Sequence, residues 1–113
     1  MIFHLVPLAD RAAAPGLPYA PSSLGSEGFA HCSADRPTVL AVVDAHYGGL
    51  PGTLLAVELD EGALTAEVRR ADGPGGRHPH VHGPLERKAV VRLWEVVRSP
   101  GTPPVLAPWP PAA

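Results

Sequence analysis

The run Thr53-Leu54-Leu55-Ala56-Val57-Glu58-Leu59 constrains the fold of this chain more than any other segment. Its apolar character is too continuous for a strand with one wet face, so it reads as a central strand covered on both sides. A chain of 113 residues has room for one domain with a single core around such a strand. The other elements have to be arranged about it.

Met1 to Pro7 is short, apolar and β-prone, a first strand with His4 at its middle. Asp10 to Ala14 has the composition of a turn or two of helix, stopped by Pro15-Gly16. Residues 21–28 read as a loop leading to a short strand, Phe29 to Ser33, in which Phe29 and His31 share a face. Ser33 or Asp35 can cap a helix over 37–47, whose Val39, Leu40, Val42, Val43 and Tyr47 form an apolar stripe before Gly48-Gly49. After the central strand come a turn over 60–64, a strand over 65–70, a loop over 71–76, the histidine-rich stretch and a long strand over 89–97. Six prolines among residues 100–113 predict a tail, in extended or disordered conformations, beyond a domain of residues 1–98. The order of elements gives an α+β domain with a mostly antiparallel sheet and one or two helices packed on it.

The net charge is −2, nine Lys and Arg are scattered and 5% of residues are aromatic, which provides neither a basic stripe nor a stacking platform for nucleic acid. A lone cysteine, Cys32, excludes an intramolecular disulfide and a cysteine-rich zinc site and fits a reducing cytoplasm. No apolar run approaches the ~20 residues needed to span a bilayer, so the expected protein is soluble, with a small-molecule partner and neither nucleic acid nor membrane.

Four of the six histidines lie in strand-like runs, His4, His31, His80 and His82. Histidine is the side chain that changes charge near neutrality, and burying one without a partner is unfavourable. A single buried histidine is ordinarily structural, whereas several drawn from three segments point to a site. His78, His80 and His82 alternate and project to one face roughly 7 Å apart, a spacing that suits a metal; yet Pro79 and Pro84 interrupt the segment and it holds no acidic ligand. No metal is expected. Cys32 and His31 point to opposite faces, against a Cys/His nucleophile, while Ser33 shares the face of His31. Arg69, Arg70 and Arg77 flank a glycine-rich loop and suit either an anion or solvent. That loop is neither a P-loop nor a dinucleotide fingerprint.

Ile2-Phe3-His4-Leu5, Gly28-Phe29-Ala30-His31-Cys32-Ser33 after Glu27, Tyr47, Pro51-Gly52 and Pro79-His80-Val81-His82-Gly83-Pro84-Leu85 together resemble the bacterial family catalogued as domain of unknown function 952, over residues 2 to about 97. The resemblance implies a compact, divergent relative of the ADP-ribosyltransferase fold, a split antiparallel sheet gripping NAD in a cleft. By that likeness His4 and Ser33 position the ligand with Tyr47 and Arg69, His31 contacts the reacting end, and His80 or His82 serves as general acid/base. The chain departs from the family pattern at His78 and His82, where aromatic residues are usual, and at Arg70-Ala71, where Trp-Glu commonly follows the arginine matching Arg69. The usual acidic residue is thus missing or replaced by Asp72, which weakens ordinary ADP-ribosyl transfer, because a carboxylate stabilises an oxocarbenium-like transition state. The leading expectation is a small enzyme, a transferase or glycohydrolase, acting on NAD or a related nucleotide. The alternatives are a noncatalytic binding or accessory protein of the same fold and a histidine-metal enzyme built on His78, His80 and His82.

Overall fold

The computed structural model describes residues 1–12, 20–21, 23–73 and 76–111. In chain order the elements are β1 (Ile2–Pro7), α1 (Leu8–Ala12), α2 (Ser23–Glu27), β2 (Ala30–His31), α3 (Arg36–His46), β3 (Leu54–Leu59), β4 (Val68–Gly73), β5 (Gly76–Val81), β6 (Val90–Ser99) and β7 (Thr102–Trp109), with 3-10 turns at Glu61–Ala63 and Arg87–Ala89. This is an α+β fold of two antiparallel sheets, in the orders β1-β3-β6-β7 and β2-β5-β4. Among the described residues no helix is long and apolar enough to cross a membrane.

The continuous apolar run becomes β3, an inner strand of the larger sheet, because each of its faces meets a different core. Leu54 and Ala56 join Phe3, Leu5, Trp94 and Val96 under Val39 and Val43 of α3. Leu55, Val57 and Leu59 join Ile2, Val6, Ala30, Cys32 and Val81, so the opposite face is closed by the smaller sheet. Helix α3 is placed at both ends by polar contacts. Asp35, not Ser33, is its cap, accepting from the Thr38 amide at 2.8 Å. The Arg36 guanidinium lies 4.3 Å from the centre of the Trp94 ring, and Trp94 donates from Nε1 to Glu58 at 2.9 Å, which ties the first turn to the sheet.

Three sequence expectations are corrected. Residues 23–27, read as loop because Ser and Gly are poor helix formers, make one turn of helix, α2. The loop over 71–76 is largely strand, since Ala71, Asp72 and Gly73 pair with His78, Arg77 and Gly76, and the fourth strand starts at Val68 rather than Thr65. Residues 13–14 of the first expected helix, and the 74–75 tip of that hairpin, lie outside the described residues; the helix itself begins at Leu8.

The largest correction is at the C-terminal side. The segment expected as a tail contains β7, which pairs with β6 from Leu93↔Trp109 to Ser99↔Thr102, so the domain does not end at residue 98. Prolines 103, 104 and 108 are compatible with this strand because it is an edge, and because Pro103 and Pro104 fall at the register shift between Val97 and Ser99, where the ladder is interrupted. Trp109 packs on the core shared with the smaller sheet and Leu106 on the α3 core. Trp109→Ala should therefore lower unfolding stability by about 2 kcal/mol, judged from large-to-small core substitutions and its partial burial. Val105→Ala, at a position 54% exposed, should leave it nearly unchanged. Denaturant midpoints of the two variants check this, and equal midpoints would show that Trp109 contributes no packing.

Candidate functional site

The two sheets are joined where Phe3 of β1 and Ser33 exchange two backbone hydrogen bonds, of 2.9 and 2.8 Å. Beside this junction opens a cleft of about 1360 Å³. Its floor is His4, Cys32 and Ser33; one wall is Thr38, Ala41, Val42 and Ala45 of α3, and the other is Ala71–Gly73 with His78 and His80 of the β4–β5 hairpin. The α3 wall is held by Arg98 of β6, which donates to the carbonyls of Tyr47, Leu50 and Gly52 at 2.6, 2.8 and 2.7 Å. Gly52 sits at φ 84, the left-handed turn that this loop requires and that side chains disfavour.

His4 is buried and donates from Nδ1 to the His31 carbonyl at 2.7 Å, because a carbonyl can only accept. In the neutral ring this makes Nε2 the acceptor nitrogen. Burial depresses its pKa to about 4, the His31 hydrogen bond opposing this and the charge of His31 adding to it. His31, on the next strand, donates from Nε2 to Glu27 Oε2 at 2.6 Å, a contact between two half-exposed side chains at the edge of the cleft. His80 faces His31 directly across the β2–β5 pair. Its ring stacks on Phe29 at 4.0 Å and 10° and meets His31 edge-on at 5.4 Å. Desolvation, then the charges of His31, His82 and His78, lower the His80 pKa, with Glu27 opposing.

Five of the seven residues proposed from sequence line the cleft: His4, His31, Ser33, Tyr47 and His80. Two do not. His82 follows the end of β5 and packs its ring on Phe29 at 5.5 Å, and Arg69, cross-strand from His80, is tied to Glu67 by two contacts of 2.9 Å. Cys32 is buried and its thiol is pushed up to about 12, by burial and then by the charge of Glu61, which fits an inert small apolar residue. Among the described residues no three His, Cys, Asp or Glu side chains are grouped to hold a metal ion.

Sequence reasoning missed Glu27, Asp10, Thr38 and His46 as residues of the site or its edge, and weighed Asp72 only as a replacement for the family's glutamate. For Glu27 the signal was its position four residues before His31, yet the two belong to different elements, α2 and β2. The others come from segments whose local pattern shows only helix or turn.

The model of the family described as "Protein of unknown function (DUF952)" matches residues 6–93. The crystal structure of protein CC0527 from Caulobacter crescentus is similar to this chain, with a TM-score of 0.75, 21% identity and 92% of each chain covered. A double mutant of that protein matches at the same TM-score of 0.75 with 20% identity. At such identity the likeness speaks for the fold alone. No curated protein matches the chain.

The buried His4 makes stability pH-dependent with a definite sign. Above pH 6.5 neither state holds its proton; as pH falls from 6.5 to about 4 the unfolded chain binds a proton that the folded chain refuses, so stability is lost through that window and then levels off. The loss amounts to about 3 kcal/mol, and the partly exposed His80 adds in the same direction. Unfolding curves across this window should show most of that loss disappearing in His4→Gln, and equal slopes in the two proteins would refute it.

Proposed function

Because the chain belongs to the DUF952 family of proteins of unknown function, we propose a function from its cleft: a small cytoplasmic enzyme of ADP-ribosyltransferase-like fold, a transferase or glycohydrolase that acts on the N-glycosidic bond of NAD or a related nucleotide. The observation that carries this reading is the meeting of His4 and Ser33 on the floor of one open cleft with His80 on its wall and the Glu27–His31 pair at its edge. A mostly apolar cavity with a few convergent polar groups is what a small-molecule site requires. The lone buried Cys32 thiol supports a reducing compartment.

In this reaction the bond from the ribose carbon to the base nitrogen breaks, and its electron pair leaves with the base. A new bond forms from that carbon to an acceptor oxygen, whose proton passes to the neutral imidazole of His80. His31, oriented through Nε2 by Glu27, contacts the reacting end, and Tyr47 lines the α3 side. Arg69 and His82 take supporting places outside the lining.

A second reading, a binding protein without turnover, is favoured by one observation. At the position where the resembled family carries Trp-Glu, Arg70 is bound to Glu61 at 2.9 and 2.6 Å and Ala71 faces the cleft, leaving Asp72 as the nearby carboxylate.

NAD, ADP-ribose and nicotinamide at millimolar concentration should distinguish these. A ligand at 100 times its Kd adds about 2.7 kcal/mol to the folded state, which in a domain of this size raises the melting temperature by roughly 10 °C. Release of the base should accompany binding and fall about 100-fold in His80→Ala with little change in KM. Binding without release selects the second reading, and no thermal shift with any of the three overturns both.

A further inference from the structure

All nine Lys and Arg residues of the chain lie outside the lining of the cleft. Arg36 and Arg92 are over Trp94, at 4.3 and 5.4 Å. Arg69, Arg70, Arg77 and Lys88 each face a carboxylate, Arg98 holds three carbonyls of the loop after α3, and Arg87 donates to the backbone of Arg11. The charged side chains that do reach the cleft are carboxylates, Asp10 and Asp72, with Glu27 at its edge. The residues outside the described set are uncharged, so they add no cation.

We infer, building on the proposed reading of this cleft, that it takes the base–ribose end of its ligand, cationic or uncharged, and leaves any phosphate in solvent. Phosphate recognition ordinarily uses Arg or Lys forks, or the free amides of a helix N-terminus. The long helix of the lining, α3, offers few such amides. The first turn of α3 contains Pro37, which has no N–H, the Thr38 amide is taken by the Asp35 carboxylate at 2.8 Å, and the Val39 amide by the Asp35 carbonyl at 3.1 Å. On the floor, the amides of Cys32 and Ser33 are committed to Pro79 and Phe3.

The two shielded histidines, His4 and His80, do not replace the absent cations. Burial holds His4 neutral, burial and neighbouring imidazoles hold His80 neutral, and His31 gives its Nε2 hydrogen to Glu27. His46 and His78 complete the imidazoles of the lining, and its carboxylates, Asp10 and the Asp72 that Arg77 meets at 3.6 Å, disfavour an anion and favour a ligand cation. A pyridinium riboside fits such a cleft better than the diphosphate half of a dinucleotide.

The test compares nicotinamide riboside, its 5′-mononucleotide and NAD by calorimetry at pH 8. The riboside should bind within about threefold of the other two, and raising the salt should weaken the mononucleotide and NAD no more than it weakens the riboside, because no phosphate ion pair is being screened. Inorganic pyrophosphate should not displace it. Asp10→Asn and Asp72→Asn, which remove negative charge at the cleft, should strengthen the mononucleotide a few-fold while weakening or leaving the cationic riboside. NAD binding at least tenfold more tightly than the riboside, or displacement by pyrophosphate, would overturn this inference and leave the nucleotide reading standing. Failure of all three ligands to bind would remove both.

Discussion

The pair of backbone hydrogen bonds between Phe3 and Ser33 is the contact on which the architecture turns. β1 is an outer strand of the larger sheet, and the segment after β2 would otherwise present unpaired amides and carbonyls beside it. Burying such groups without partners is unfavourable, so the two edges satisfy each other. The same short stretch is bound on its other side, through the Cys32 amide, to the Pro79 carbonyl of β5. Residues 31–33 are therefore a seam between sheets, and His4 is added to that seam by its 2.7 Å bond to the His31 carbonyl.

The cleft is a consequence of the seam. The larger sheet carries α3 on one face and the smaller sheet on the other, so the junction leaves a gap between the helix and the β4–β5 hairpin. Its helical wall is fixed at the first turn by Asp35 and Arg36 and after the last by the Arg98 guanidinium. Directly opposed strands bring His31 and His80 together, and Phe29 covers one face of His80. Desolvation lowers the pKa of that imidazole, and the Glu27–His31 pair beside it stays half-exposed.

Elements whose evidence is local were legible in the chain. β1, β3 and β6 have apolar runs that no other backbone conformation would bury as well, and α3 has its acidic cap, an early proline and an apolar stripe in register. Elements defined by a partner were not. Thr102–Trp109 has the composition of an unfolded tail, and only the open edge of β6 gives Leu106 and Trp109 a surface on which to pack. Likewise Ala71 and Asp72 are unremarkable as strand residues until His78 and Arg77 face them.

For the site, the sequence by itself determined that His4, His31 and His80 lie in strands, because strand alternation is a property of the backbone, whereas His82, read into the same run, falls just past the end of β5. It also determined the α+β class, through the order of its periodic segments. Tertiary structure alone decided that His4, His31 and His80 border one cleft while His82 and Arg69 stand outside it, because register and the ends of strands depend on pairing between distant segments. It decided the electrostatics too. Nine cations are visible in the chain, but only the folded arrangement gives them their partners, Trp94, the carboxylates and the carbonyls after α3, and so leaves them out of the cleft lining, with Arg77 the one that pairs with a lining carboxylate, Asp72.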